Sequence, residues 1–83
     1  MSTIEDALFD LLAARGDGKT ICPSEVARAV DAENWRRVMR QLRPVAVGLA
    51  RQGRVVITRH GKPVDPESFK GVWRIGSAPS DPA

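Results

Sequence analysis

The sequence predicts one small α+β domain, and three observations support this prediction. Apolar residues recur at helical spacing in three segments, β-branched segments lie between and after them, and no low-complexity run interrupts the chain. The 83 residues are enough for one hydrophobic core and too few for two. We therefore expect a single domain over residues 1–76 and a flexible tail over residues 77–83, which is rich in serine, proline and alanine.

The first helix is predicted over Thr3–Arg15. Ser2 or Thr3 can cap its N-terminus, and two acidic residues in the first turn suit the positive end of the helix dipole. Apolar residues then recur on one face, and Gly16 is typical of a helix C-terminus. The helix should therefore pack one side against a core.

A minimal strand and a second helix follow. The segment Thr20-Ile21-Cys22 is β-prone and ends at Pro23, whose fixed backbone angle suits the first position of a helix. This second helix should end near Asp31.

The third helical region carries an apolar stripe that includes Trp35 and Leu42, with arginines on the opposite side. Because Pro44 would remove a backbone hydrogen bond inside a helix, the sequence predicts an interruption. We expect a short helix over Asn34–Met39, a break near Arg40 and a longer helix over Gln41–Gln52, closed by Gly53. The stripe places Trp35 in the core.

Two strands complete the chain. Arg54–Arg59 is β-branched and leads into a turn over His60–Pro63, after which Val64 can pair back. Asp65–Ser68 is a second turn, and Val72–Ile75 alternates as a final strand should. This alternation leaves open which way Trp73 points.

The order of elements is typical of a winged helix-turn-helix, in which the last helix is presented to DNA and the loop between strands forms the wing. Three to four helices and a small antiparallel sheet with a wing hairpin are expected. Other small α+β topologies can share this order.

Charge is distributed unevenly along the chain. Met1–Glu33 contains seven acidic residues against three basic ones, whereas residues 34–64 contain eight basic residues and no aspartate or glutamate. Clustered positive charge attracts a polyanion such as nucleic acid. The candidate nucleic-acid-binding residues are Arg36, Arg37, Arg40, Arg43, Arg59 and Lys62. On the helix they would contact phosphates and one guanine, and on the wing they would contact the adjacent backbone or minor groove.

Two alternatives remain open for these residues. The arginines can be solvated groups on the outer faces of amphipathic elements, or they can dock an acidic protein surface, which would make the chain a protein-interaction module. Double-stranded DNA is the leading partner, with transcriptional regulation as one role. Oligomeric state stays open between a monomer and a weak homodimer.

Catalytic and cofactor chemistry finds little support in the sequence. The carboxylates of Asp65 and Glu67 have no suitably placed nucleophile, and Asp65 is better interpreted as a turn residue. Cys22 and His60 are too few for a structural zinc site, and their roles as a redox or pH sensor are less favoured than packing and solvent exposure. We expect a protein that is not an enzyme and has no cofactor or metal.

Neither a membrane span nor a secretory signal is predicted, because no apolar run approaches 18 residues and the N-terminus is acidic. The expected location is the cytoplasm, with no membrane partner.

Several stretches resemble a family of small bacterial proteins, domain-of-unknown-function family 3253. They are residues 21–28 (ICPSEVAR), Trp35-Arg36 with Met39, Leu42-Arg43, Leu49-Ala50, Gly53–Val55 through Gly61, Val64–Pro66 and Gly71. The resemblance covers most of the chain and implies a winged-helix fold, but no activity. The family pattern often has proline near position 40, where this sequence has Arg40 and places its proline at 44.

Overall fold

The computed structural model describes residues 3–16 and 18–78. In this part of the chain, three helices precede most of a four-stranded antiparallel sheet, which confirms the α+β class. The elements are α1 (Ile4–Arg15), β1 (Thr20–Ile21), α2 (Pro23–Val30), α3 (Trp35–Arg51), β2 (Val55–Arg59), β3 (Lys62–Pro63) and β4 (Arg74–Ser77). The strand order in the sheet is β1-β4-β2-β3. This arrangement is compatible with a winged helix.

Helix α1 begins and ends as its sequence predicts. The Thr3 hydroxyl accepts a hydrogen bond from the Asp6 amide at 3.0 Å, and the Asp6 carboxylate accepts one from the Thr3 amide at 3.4 Å. This reciprocal capping satisfies two amides that the helix itself leaves without partners. At the other end, the Gly16 amide donates to the Leu12 carbonyl at 3.0 Å.

Helix α2 begins at Pro23, also as predicted, with Cys22 in the capping position. The Cys22 amide donates to a Glu25 carboxylate oxygen at 2.7 Å. The helix ends at Val30, one residue before the predicted end near Asp31.

The predicted break near Arg40 is wrong, because α3 runs without interruption through Pro44. Leu42 and Leu49 are buried on either side of Pro44 in the same stripe, whereas Pro44 itself is exposed. Burying each leucine contributes about 1.5–3 kcal/mol, which together offsets the cost of about 3 kcal/mol for an interior proline. Packing of the two halves against one core therefore keeps the helix continuous.

The sheet has one face against the helices. Val55 and Ile57 of β2 are buried there, and Trp73 and Ile75 are buried beside them. Because side chains alternate along a strand, Arg59 falls on this same face as Val55 and Ile57. The side chain of Arg59, the last residue of β2, therefore projects from the sheet face that packs against the helices.

Strand β4 begins two residues later than the predicted start at Val72 and extends to Ser77, which pairs with Val55. The predicted tail over residues 77–83 therefore begins too early, and its residues 79–83 lie outside the described part of the chain. At the predicted start, the Val72 carbonyl accepts a hydrogen bond from the Arg59 side chain. The orientation of Trp73 is now clear, since its side chain is buried.

Strands β2 and β3 form a tight hairpin in which Arg59 pairs with Lys62. The predicted turn over His60–Pro63 is therefore too long, because Lys62 and Pro63 belong to β3. The two residues between the strands, His60 and Gly61, have φ angles of 52° and 79°. Two successive positive φ angles match a type I′ turn, whose twist suits adjacent antiparallel strands. Val64 pairs back as predicted, since its amide donates to the Ile57 carbonyl at 3.0 Å.

None of the helices in the described residues is both long and apolar enough to cross a membrane.

Candidate nucleic-acid interface

The six predicted residues lie on two elements, α3 and the β2–β3 hairpin. Four are exposed on α3, and the other two pair across the hairpin, where Arg59 is half-buried and Lys62 is exposed. Residues paired directly across two strands project from the same sheet face. Arg59 and Lys62 therefore share the face that packs against the helices.

Arg36, Arg37 and Arg40 form an exposed cluster on the first two turns of α3. At about 100° per residue, they project from the side opposite the buried stripe. Within the described residues, no carboxylate oxygen lies within ion-pairing distance of any of the three. Their positive charges are available to an external anion.

Arg43 and Arg59 have a different environment, because each holds a backbone carbonyl of the loop before β4. The Arg43 Nη2 donates to the Phe69 carbonyl at 2.7 Å, and its guanidinium lies 4.0 Å from the centroid of the Phe69 ring. The Arg59 Nε donates to the Val72 carbonyl at 2.9 Å. These contacts join α3 and the hairpin through one short loop, and both acceptors are neutral, so the two side chains keep their net charge.

Trp35 does not lie in the core, so its predicted placement is wrong. It is half-buried, and the guanidinium groups of Arg28 and Arg36 each lie 4.6 Å from its ring centroid. Val38 is the first residue of α3 to be buried, so Trp35 lies beyond the end of the core. The periodicity of the stripe could not show where the core ends along the helix axis.

Among residues 3–16 and 18–78, three ion pairs involve other arginines. Arg15 pairs with Glu25 at 2.6 Å, Arg54 with Glu5 at 3.0 Å, and Arg51 with Glu67. These exposed pairs contribute little to stability, but they neutralise Arg51 and Arg54 from the basic segment. The acidic first half of the chain thus holds Arg54, while the six predicted residues stay outside these pairs.

Acidic residues border the arginine cluster at the turn before α3. Asp31 accepts hydrogen bonds from the Glu33 and Asn34 amides, each at 3.1 Å, and Glu33 is exposed. The bond from the Asn34 amide is the main cause of a lowered Asp31 pKa, and the positive charge of Arg37 adds to it. The Asp31 carboxylate is therefore charged near neutral pH and would repel phosphate at this end of α3.

Sequence reasoning missed Arg28, Lys70 and Val72. Arg28 lies on α2 and approaches α3 only in the folded chain. Lys70 and Val72 are exposed in the loop that Arg43 and Arg59 hold, beyond the acid-free segment. The presence of Lys70 in that loop was visible in the sequence, but the position of the loop was not.

The remaining candidate residues have local structural roles. Cys22 is half-buried, with its sulfur 3.1 Å from the Ser24 hydroxyl, and His60 is exposed in the hairpin turn. Asp65 accepts a hydrogen bond from the Glu67 amide at 2.9 Å, which confirms its turn role. Among residues 3–16 and 18–78, no cluster of three or more histidine, cysteine, aspartate or glutamate side chains could hold a metal ion.

Comparison with known proteins yields one match. Residues 1–78 match a family model with the description "Protein of unknown function (DUF3253)", which confirms the resemblance seen in the sequence. No curated protein matches the chain.

Proposed function

The chain belongs to the DUF3253 family, and from the geometry of its basic face we propose that it binds double-stranded DNA. The surface proposed for this contact is the basic face, defined as Arg36, Arg37, Arg40, Arg43, Arg59, Lys62 and Lys70.

The proposal is supported by the difference between arginines that form ion pairs with carboxylates and the basic residues that do not. The carboxylates in ion pairs lie beside Arg15, Arg51 and Arg54. The basic face carries exposed charge with no such partner within the described residues. Clustered positive charge that is not ion-paired attracts a polyanion.

Duplex DNA fits this arrangement better than a small anion, because the charges extend from a helix to a neighbouring hairpin. A helix of the width of α3 fits the major groove, and the hairpin and adjacent loop would then reach the phosphate backbone beside it. Arg36, Arg37 and Arg40 would supply phosphate contacts and one bidentate contact to guanine. Lys62 and Lys70 would contact phosphates as point charges.

The test is a fluorescence anisotropy titration of a labelled duplex at several salt concentrations. Each phosphate contact contributes about −0.9 to the slope of log K against log salt, so the four phosphate contacts of two cluster arginines, Lys62 and Lys70 give about −3.6. Arg40→Gln should reduce the slope by about 0.9. Lys19→Gln is the control, because Lys19 is exposed next to β1, at the opposite edge of the sheet from the hairpin, and should leave the slope unchanged.

Two outcomes would reject the proposal. One is an absence of binding to the duplex at low salt. The other is displacement of the duplex by polyglutamate at an equal concentration of charge, which would indicate that the basic face docks an acidic protein surface instead.

A further inference from the structure

Three exposed residues, Lys70, Gly71 and Val72, form a projecting tip between two buried aromatic residues. Phe69 and Trp73 are buried on either side of it, with their ring centroids 5.2 Å apart. Since both ends of this segment are fixed in the core, the tip has little freedom to collapse onto the protein surface.

The tip is also held by the two arginines of the basic face. Arg43 and Arg59 hydrogen bond the carbonyls of Phe69 and Val72, at its two ends. Gly71 has a φ angle of 83°, and a Cβ atom at this position would lie 2.9 Å from the Arg59 Nη2. At this positive φ angle a side chain would strain the backbone, and its Cβ atom would make the Arg59 guanidinium shift.

Val72 is 79% exposed and is the large hydrophobic residue that the described structure leaves in solvent. A single exposed apolar residue is ordinary on a protein surface. This one lies two residues from Lys70, and the Arg59 guanidinium holds its backbone carbonyl. A cation and an apolar side chain on the same fixed tip complement a phosphodiester backbone, which alternates anionic phosphates with apolar faces of deoxyribose.

We propose that this tip is a second DNA contact, in which Lys70 pairs with a phosphate while Val72 packs on the deoxyribose wall of the minor groove. The inference rests on the proposed function, and it goes beyond it by assigning an apolar contact to a surface defined by charge. Arg43 and Arg59 are then positioning residues, because their hydrogen bonds set where the tip projects. Proteins that bind the minor groove commonly combine basic residues with an apolar side chain in this way.

The experiment compares substitutions at the tip in the anisotropy titration across the same salt series. Val72→Ala removes two methyl groups, and at about 0.8 kcal/mol per buried group it should weaken binding by about fourfold if one group is buried and about fifteenfold if both are. Because this contact involves no counterion, the salt slope should not change. Val72→Thr keeps the branched shape and should weaken binding by about threefold.

Lys70→Gln should behave differently from the Val72 variants, because it removes a phosphate contact and should reduce the salt slope by about 0.9. Lys19→Gln is again the control and should leave the slope unchanged. Melting temperatures of the Val72 variants should equal that of the parent chain, because the side chain is exposed before binding. A change in affinity then cannot be attributed to unfolding.

The two proposals fail in different ways. If the parent chain binds no duplex, both are rejected. If the parent binds with the expected slope but Val72→Ala and Val72→Thr bind as tightly as the parent, the tip contact alone is rejected. The tip contact is also rejected if Val72→Ala loses affinity and its salt slope falls. In that case Val72 would affect binding by positioning charged residues and not by an apolar contact.

Discussion

Arg43 and Arg40 are both exposed on α3, but the structure predicts that replacing Arg43 by alanine destabilises the fold far more than replacing Arg40. Arg43 donates a 2.7 Å hydrogen bond to the Phe69 carbonyl and lies over the Phe69 ring. A hydrogen bond from a charged donor contributes about 1.5–3 kcal/mol, and an exposed cation–π contact contributes about 0.5–1 kcal/mol. Taking the lower values because Arg43 is exposed, Arg43→Ala should destabilise the fold by about 2 kcal/mol.

For a domain of this size, that loss corresponds to a decrease in melting temperature of about 10 °C. Arg40→Ala removes the same charge from the same helix but breaks no contact within the described residues, so it should change stability by less than about 0.5 kcal/mol. Urea denaturation followed by far-UV circular dichroism measures both. Equal midpoints for the two variants would refute the assignment of Arg43 as the residue that holds the loop.

Three further predictions concern other sites. Gly48→Ala should stabilise the chain by about 0.5–1 kcal/mol in urea denaturation, because Gly48 lies within α3 and a Cβ atom there meets nothing within 4 Å. A destabilised variant would contradict the open space at this position. Glu33→Gln should tighten duplex binding severalfold at low salt by removing an exposed negative charge beside the arginine cluster, and unchanged affinity would place DNA away from this end of α3. The hydrogen bond from the Cys22 amide lowers the pKa of Glu25 below 4.5, burial partly opposes it, and Arg15 adds to the lowering. The stabilisation is therefore present above pH 4.5 and is lost as pH falls through the lower pKa of the folded state. The stability difference between the parent and Glu25→Gln should accordingly shrink below pH 4.5, and a difference independent of pH would contradict it.

Local signals in the sequence were sufficient for most element boundaries. The capping residue Thr3, the helix-opening Pro23 and the two-residue turn at His60–Gly61 each act through bonds within a few residues. Such interactions can be deduced from sequence because the residues involved are neighbours in every conformation.

Contacts between distant segments explain what sequence reasoning missed. Pro44 stays inside a helix because core packing on both sides of it outweighs a local preference. Arg43 was expected to contact phosphate, but the structure adds a hydrogen bond to Phe69, 26 residues away. Neither the continuity of α3 nor the role of that loop can be deduced from a periodic pattern, because both depend on how separate elements meet.

The two tryptophans give the molecule two independent optical reporters. Trp73 is buried against Phe69 and should emit at short wavelength until the core is lost. Trp35 lies at the surface beneath two guanidinium groups, those of Arg28 and Arg36, so its emission should respond when either side chain is drawn away by a bound polyanion. Occupation of the surface and melting of the interior can thus be followed separately, in one cuvette and without a label.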